Sequence, residues 1–205
     1  MPTTLVEIPG VVEDSPRKRW TRAEYEEFAE STVLAGQKLE LVEGDLIDKM
    51  GKKRPHSNPL EKLNRWLLGV FGDFVNREVP IDVAPEDNPT SEPEPDLIVL
   101  NREYTEFESQ NPGPDDLRLV IEISDSRLSY DLRTKADLYA RAGIVEYWVL
   151  DVIGRRMIVH RDPGNGRYQS VVAYGEDEKI SCLAAPQAEL RVGDTFPAPK
   201  EKGSK

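Results

Sequence analysis

The sequence has little of several features that mark secreted, membrane or zinc-binding proteins. Its one cysteine, Cys182, cannot form a disulfide within the chain, and no Cys/His cluster has the spacing of a zinc site. No stretch approaches the roughly 18 apolar residues of a membrane span, and residues 1–16 lack the basic start and apolar run of a signal peptide. These absences predict a cytoplasmic protein with no membrane partner.

Positive charge is also scarce. The 205 residues carry 27 Lys and Arg against 38 Asp and Glu, which gives a net charge of −11 and disfavours a protein that coats nucleic acid through a basic surface. The excess is local, because residues 82–116 hold eleven acids, one base and six of the 16 prolines. We expect this segment to form a loop-rich acidic edge on an otherwise nearly neutral domain.

Apolar periodicity places one domain at residues 20–196, between polar tails at 1–19 and 197–205. A capping-box pattern at Thr21 and Glu24 begins a predicted helix over 21–34, and apolar residues at three-to-four spacing predict the longest helix over 57–77. Asp131 is placed as the N-cap of a third helix that reaches residue 142.

Strand patterns fill most of the remaining sequence. A hairpin turning at 43–45 is predicted to join strands 38–42 and 46–50, and further strands are predicted at 81–84, 96–100, 119–124, 146–152, 156–161 and 168–172. The order of elements predicts a mixed β-sheet flanked by helices in an α/β or α+β domain.

Two carboxylates lie on aliphatic strands, where charge is costly to bury unless it is paired or bound to a cation. Asp96 begins one strand and Glu122 lies inside another, while Asp131 and Lys135 follow at i, i+4 spacing on the next helix. Two carboxylates and an ammonium group suit a site for Mg²⁺, in which the lysine orients water or stabilises developing negative charge.

The segment from Val120 to Asp151 closely resembles the hallmark stretch of the Uma-two family, which consists of small, mostly bacterial proteins of the PD-(D/E)xK nuclease superfamily. The hairpin residues 39–45, His56 at the start of the long helix, and Pro95-Asp96 match further family features in the same order. The resemblance covers residues 21–196 and implies a restriction-endonuclease-like fold.

The resemblance also implies a magnesium-dependent DNA endonuclease, with manganese as an alternative metal. Asp96, Glu122 and the backbone carbonyl of Ile123 would bind the metal ion. The usual Glu-x-Lys motif ends here in Ser124, so Lys135 on the following helix would be the catalytic cation.

In the same pattern Glu40 would be an outer carboxylate near the metal, and His56 a further polar contributor. DNA is the expected substrate, and a homodimer would let two sites face two strands.

Other interpretations of these residues remain open. Glu122 and Lys135 can form a structural ion pair, Glu40 can be a solvent-facing hairpin charge, and His56 can be an ordinary helix-start residue. Tyr139 and Trp148 fit the core better than a site, and the basic residues 52–54 are either phosphate contacts or a solvated loop.

Two other classes of function compete with the nuclease. The acidic balance and the lack of an appended DNA-reading module fit a catalytically silent interaction protein that retains the fold. The same residue types would also suit hydrolysis of a small phosphate-containing substrate.

Overall fold

A computed structural model of the protein describes residues 17–29, 37–49 and 54–197. Its helices are α1 (Arg22–Ala29), α2 (Arg54–Phe71), α3 (Leu128–Tyr130) and α4 (Ala136–Arg141), with a π-helical turn, Asp131–Lys135, between α3 and α4. Its strands are β1 (Leu39–Val42), β2 (Asp45–Asp48), β3 (Val75–Arg77), β4 (Leu97–Leu100), β5 (Leu117–Ser124), β6 (Glu146–Asp151), β7 (Arg156–Gly164), β8 (Arg167–Gly175), β9 (Lys179–Ile180) and β10 (Leu190–Arg191).

Six strands form the central sheet in the order β3-β4-β5-β6-β7-β8. Strands β5 and β6 run parallel, and every other neighbouring pair is antiparallel. Because side chains alternate along a strand, Ile121 of β5 packs with Leu67 of α2 on one face, while Val120 packs with Leu138 of α4 on the other. The mixed sheet flanked by helices is therefore confirmed.

Two local predictions near the start of the chain are also confirmed. The backbone N–H of Thr21 donates to Glu24 Oε2 at 2.9 Å, and the N–H of Glu24 donates to Thr21 Oγ1 at 3.3 Å, which is a capping box. The hairpin turns through Glu43 (φ 49°) and Gly44 (φ 79°), the left-handed conformation that a two-residue hairpin turn requires.

Near the middle of the chain, the predicted long helix is confirmed except for its end, and one predicted strand is wrong. The helix predicted over 57–77 ends early, because Gly72 takes φ 58° and the chain then forms β3. Residues 81–84 do not form a β-strand. The N–H of Ile81 instead donates to the Pro93 carbonyl, and prolines in this region lack the N–H that a regular ladder needs.

The N-cap role predicted for Asp131 is also wrong. Asp131 has helical angles (φ −65°, ψ −38°) and follows the three residues of α3, so it lies inside the helix and not at its start. Its side chain is buried, which an N-cap at the surface would not require.

Outside β4 the acidic segment 82–116 is largely irregular, as predicted, but basic side chains from elsewhere pair with some of its acids. Arg22 of α1 contacts Asp82 at 2.7 Å and Glu92 at 2.6 Å. Arg141 at the end of α4 contacts Asp87 at 2.9 Å. The segment is therefore an internally paired part of the domain as well as an acidic surface.

Several expectations fall on residues outside the described ranges. These are most of the tails predicted at 1–19 and 197–205, the end of the first predicted helix, and residues 52 and 53 of the basic loop. None of the helices in the described ranges is long and apolar enough to cross a membrane.

Candidate active site

The antiparallel pairing of β4 and β5 brings the first two carboxylates together. Leu97 pairs with Ile121, so the register places Asp96, one residue earlier, beside Glu122. Asp96 Oδ2 accepts a hydrogen bond from the backbone N–H of Ile123 at 2.8 Å, which fixes the carboxylate against β5. Asp96 and Glu122 are both buried.

Lys135 links three separate elements through its ammonium group. Its Nζ donates to Glu122 Oε1 of β5 at 2.7 Å and to Glu40 Oε2 of β1 at 2.8 Å. Glu40 Oε2 also accepts from the backbone N–H of Glu94 at 3.1 Å, which ties the hairpin to the chain just before β4. Glu40 and Lys135 are each only 2% exposed, so the interpretation of Glu40 as a solvent-facing charge is wrong.

The π-helical turn sets the direction of the helix side chains. Its first and last residues, Asp131 and Lys135, are buried towards the carboxylates, whereas Arg133 between them is exposed. Single π-helical turns within α-helices occur frequently at functional sites.

Hydroxyl groups complete the surroundings of the cluster. Tyr139 OH donates to Glu122 Oε1 at 3.2 Å, so this residue belongs both to the core, as the sequence predicts, and to the site. Among the described residues, the buried Tyr130 hydroxyl and the buried Ser124 hydroxyl have no hydrogen-bond partner. Ser124 nevertheless lies close enough to Asp131 to oppose the rise in that carboxyl's pKa, which burial causes. The sequence pattern gave no signal for Ser124 or Tyr130 beyond their position beside the motif.

Burial and mutual repulsion shape the protonation of the cluster. Burial raises the pKa of Glu122 to about 8. The positive charge of Lys135 opposes this rise, whereas the neighbouring carboxylates reinforce it; these are Asp96, Glu40 and Asp131. Burial also raises the pKa of Asp131.

Lys135 responds in the opposite sense. Burial acts to lower its pKa, but the surrounding carboxylates together outweigh burial and hold the pKa well above the usual value. Together the two pKa shifts favour a lysine that stays charged and a Glu122 carboxyl that keeps its proton or binds a cation.

No three His, Cys, Asp or Glu side chains within the described ranges are grouped so that they alone could hold a metal ion. The donors that do meet are oxygens of Asp96 and Glu122, inside a buried set of four carboxylates and one ammonium group. Mg²⁺ typically binds through one or two carboxylates, with water and substrate phosphates as its other ligands. The chemistry of the donor set therefore fits Mg²⁺.

His56 lies in the first turn of α2, but its side chain and that of Arg54 are outside the described part of the structure. Its predicted polar role stays a prediction. Trp148 is fully buried against Trp66, with ring centroids 6.3 Å apart, so its assignment to the core is confirmed.

The fold is similar to that of a solved structure. The crystal structure of a "putative nuclease belonging to DUF820 from Anabaena variabilis" superposes with a TM-score of 0.62 at 15% sequence identity. The superposition covers 86% of this chain and 97% of that one, which establishes a shared fold. No curated protein matches the sequence.

The sequence also matches a family profile over most of its length. Residues 23–193 match the Uma2 profile, which is described as "Putative restriction endonuclease". The matched range contains every charged residue of the carboxylate cluster, namely Glu40, Asp96, Glu122, Asp131 and Lys135. The chain therefore belongs to the Uma2 family.

Proposed function

We propose that the protein is a magnesium-dependent endonuclease that hydrolyses phosphodiester bonds of DNA. The observation that carries the proposal is the position of Lys135 Nζ between Glu122 and Glu40, with Asp96 beside Glu122, in a buried cluster with more negative than positive charge. A nuclease needs this combination of oxygen ligands and a fixed cation, because the reaction must activate water and neutralise a transition state of high negative charge.

Asp96 and Glu122 would hold the metal ion together with the backbone carbonyl of Ile123. A bound divalent cation supplies Lewis-acid chemistry, lowering the pKa of coordinated water and polarising a phosphoryl oxygen. The Ile123 N–H donates a hydrogen bond to Asp96 Oδ2, and Lys135 Nζ donates one to Glu122 Oε1. Each carboxylate is therefore oriented through one of its two oxygens.

Lys135 would orient the attacking water or stabilise the charge that develops on the phosphate. Its ammonium group is suited to either role because two direct carboxylate contacts keep it charged despite burial and fix its position. Glu40 would act from outside the metal shell by holding Lys135. His56, on the first turn of α2, would be a further polar contributor.

The remaining expectations fit this function. We place the catalytic unit in one domain, residues 20–196, acting in the cytoplasm as a homodimer on duplex DNA. Manganese would replace magnesium, because both are divalent cations that carboxylate, carbonyl and water ligands suit.

One observation favours a second candidate, a catalytically silent interaction protein that retains the nuclease fold. Lys135 contacts Glu122 and Glu40 directly, as a purely structural ion-pair network would. Such a network would bind neither Mg²⁺ nor Mn²⁺, so isothermal titration calorimetry with each metal separates the two candidates.

Nicking of supercoiled plasmid by the full chain in Mg²⁺ tests the proposal. Glu122→Gln and Lys135→Met should each reduce nicking by about 100-fold or more. Glu146→Gln is the matched control, since Glu146 is a buried glutamate on the neighbouring β6 that contacts Trp148 and Arg161 instead of Lys135. Unchanged nicking in both site variants would overturn the assignment. Cleavage of a model phosphodiester but not of DNA would indicate a small phosphate-containing substrate instead.

A further inference from the structure

The two edges of the central sheet differ sharply in how they are protected. At one edge, β3 spans only three residues and is followed by Glu78 with φ 50° and, shortly afterwards, by Pro80. At the other edge, β8 spans nine residues and pairs only with β7 in the central sheet. Long edge strands present unpaired backbone groups, and proteins usually shield them with charges, prolines, bulges or covering segments.

Strand β8 has none of the usual shielding residues along its middle. From Tyr168 to Gly175 its sequence contains no charged residue and no proline. Val171 and Val172 are 54% and 44% exposed, although they stand side by side and therefore point to opposite faces of the sheet. Apart from the bonds to β7, no backbone hydrogen bond to residues 168–174 occurs within the described ranges.

The ends of β8 carry opposite charges. The strand begins at Arg167, which is largely exposed and lies 3.9 Å from its nearest acid, Asp137. It is followed directly by the acidic run Glu176-Asp177-Glu178, in which Glu176 contacts Arg155 and Asp177 contacts Arg191 of the same copy. A second β8 strand running antiparallel to the first would bring each basic end next to the other strand's acidic end, with only uncharged residues between them.

We propose that β8 is the dimer interface of this protein, where it pairs antiparallel with β8 of a second copy to form one continuous twelve-stranded sheet. Two-fold pairing satisfies the free backbone groups of both copies at once. It also explains why β8 has opposite charges at its two ends, which a different partner strand would not explain. The inference does not depend on the nuclease activity.

Backbone geometry restricts the register of such a pair. In a β-strand, only every second residue directs its N–H and C=O groups towards a given neighbouring strand, so the residues of β8 that can bond to a second copy are all odd-numbered or all even-numbered. A symmetric pair must therefore place one residue opposite its own copy. The exposed valines put the symmetry axis at Val171 or Val172.

Light-scattering mass measurement of the full chain tests the interface. The wild-type protein should have twice the 23.2 kDa chain mass at micromolar concentration. Val172→Lys should halve that mass, because two lysines would meet near the axis. Val145→Lys is the matched control, since Val145 is 48% exposed but lies between α4 and β6, away from the edge. It should leave the dimer intact.

Hydrogen exchange on the wild-type protein keeps the test independent of how the variants fold. Those amides of residues 168–174 that are not bonded to β7 should become protected as protein concentration rises, while the amides of β3 should not change. A monomer in which the β8 amides not bonded to β7 exchange freely at every concentration would overturn the proposal. Concentration-independent protection in a monomer would also overturn it, because another segment of the same chain would then cover the edge.

Discussion

Lys135 Nζ and Glu122 Oε1 lie 2.7 Å apart inside the protein, and both side chains are almost fully excluded from solvent. A buried pair of this kind costs desolvation on both sides, so its net contribution to stability is small unless further partners are present. Glu40 and Tyr139 supply those partners by contacting the lysine and the glutamate, respectively. The pair is therefore one link in a network that joins the hairpin, the sheet and the helix.

Removing the cation should be costly for stability and for activity. Lys135→Met leaves Glu122 and Glu40 buried without their counter-charge, so the free energy of unfolding should fall by about 3 kcal/mol. Plasmid nicking should fall by about 100-fold or more, because the fixed positive charge is lost. Chemical denaturation and a nicking time course measure the two effects.

Lys179→Met provides the matched control. Lys179 contacts Glu189 at 2.7 Å, a separation equal to that of the buried pair, but both side chains are exposed. The denaturation midpoint and the nicking rate should both stay at wild-type values. Equal losses in the buried and the exposed variant would contradict the role given to burial.

The raised pKa of Glu122 predicts how stability depends on pH. Below the ordinary value of 4.5 the glutamate is protonated in both the folded and the unfolded chain. Between 4.5 and about 8 only the folded chain keeps the proton, so protonation of Glu122 favours the folded state there. The free energy of unfolding therefore falls as pH rises through this range, and the loss is complete above about 8. The upper limit of that loss is about 5 kcal/mol, at roughly 1.4 kcal/mol for each pKa unit.

Comparison with Glu122→Gln isolates this titration, because glutamine cannot ionise. Urea unfolding from pH 4.5 to 9 should show wild-type stability falling relative to the variant up to about pH 8 and remaining level above it. Parallel curves would show that Glu122 titrates alike in both states and would contradict its raised pKa.

Tyr139→Phe should separate the role of this residue in the site from its role in the core. The variant keeps the ring but loses the 3.2 Å hydrogen bond to Glu122 Oε1, so stability should fall by about 1 kcal/mol. The pH profile of nicking should also shift, since Glu122 loses a donor. Tyr168→Phe is the control, because the Tyr168 hydroxyl is similarly buried but donates to the Ile144 carbonyl, so only stability should change.

Most of the fold follows from local sequence patterns. The capping box at Thr21 and the turn at Glu43-Gly44 are set by neighbouring residues, and the structure confirms both. The end of α2 was missed because a run of apolar residues continues past Gly72 with helical spacing, although the backbone changes direction there. Apolar spacing alone does not report where a chain leaves a helix.

The site residues could be named from sequence order and family resemblance, but their contacts could not. Glu40 is 95 residues from Lys135 along the chain, and only the packing of the hairpin against the helix brings them together. Asp131 was misassigned because an acid at the start of an apolar helix pattern usually caps it. The three residues of α3 before it gave no periodic signal of their own.

Arg22 ties α1 to the acidic segment that runs beside the hairpin. It contacts Asp82 and Glu92, and Glu92 in turn pairs with Leu41 through backbone hydrogen bonds. Leu41 is the neighbour of Glu40, so the position of the outer carboxylate depends on a contact made well away from the metal ligands.

Arg22→Met should therefore weaken both the fold and the reaction. The free energy of unfolding should fall by about 1–3 kcal/mol, because two charge-assisted hydrogen bonds are lost from a partly buried arginine. Nicking should slow as β1 loosens and Glu40 holds Lys135 less firmly, and hydrogen exchange should quicken at Leu41 and Glu92. Arg191→Met, which loses only exposed contacts to Asp177 and Asp194, should change none of these readouts. If Arg22→Met loses stability but keeps the wild-type rates of nicking and hydrogen exchange, the acidic segment supports the fold without positioning Glu40.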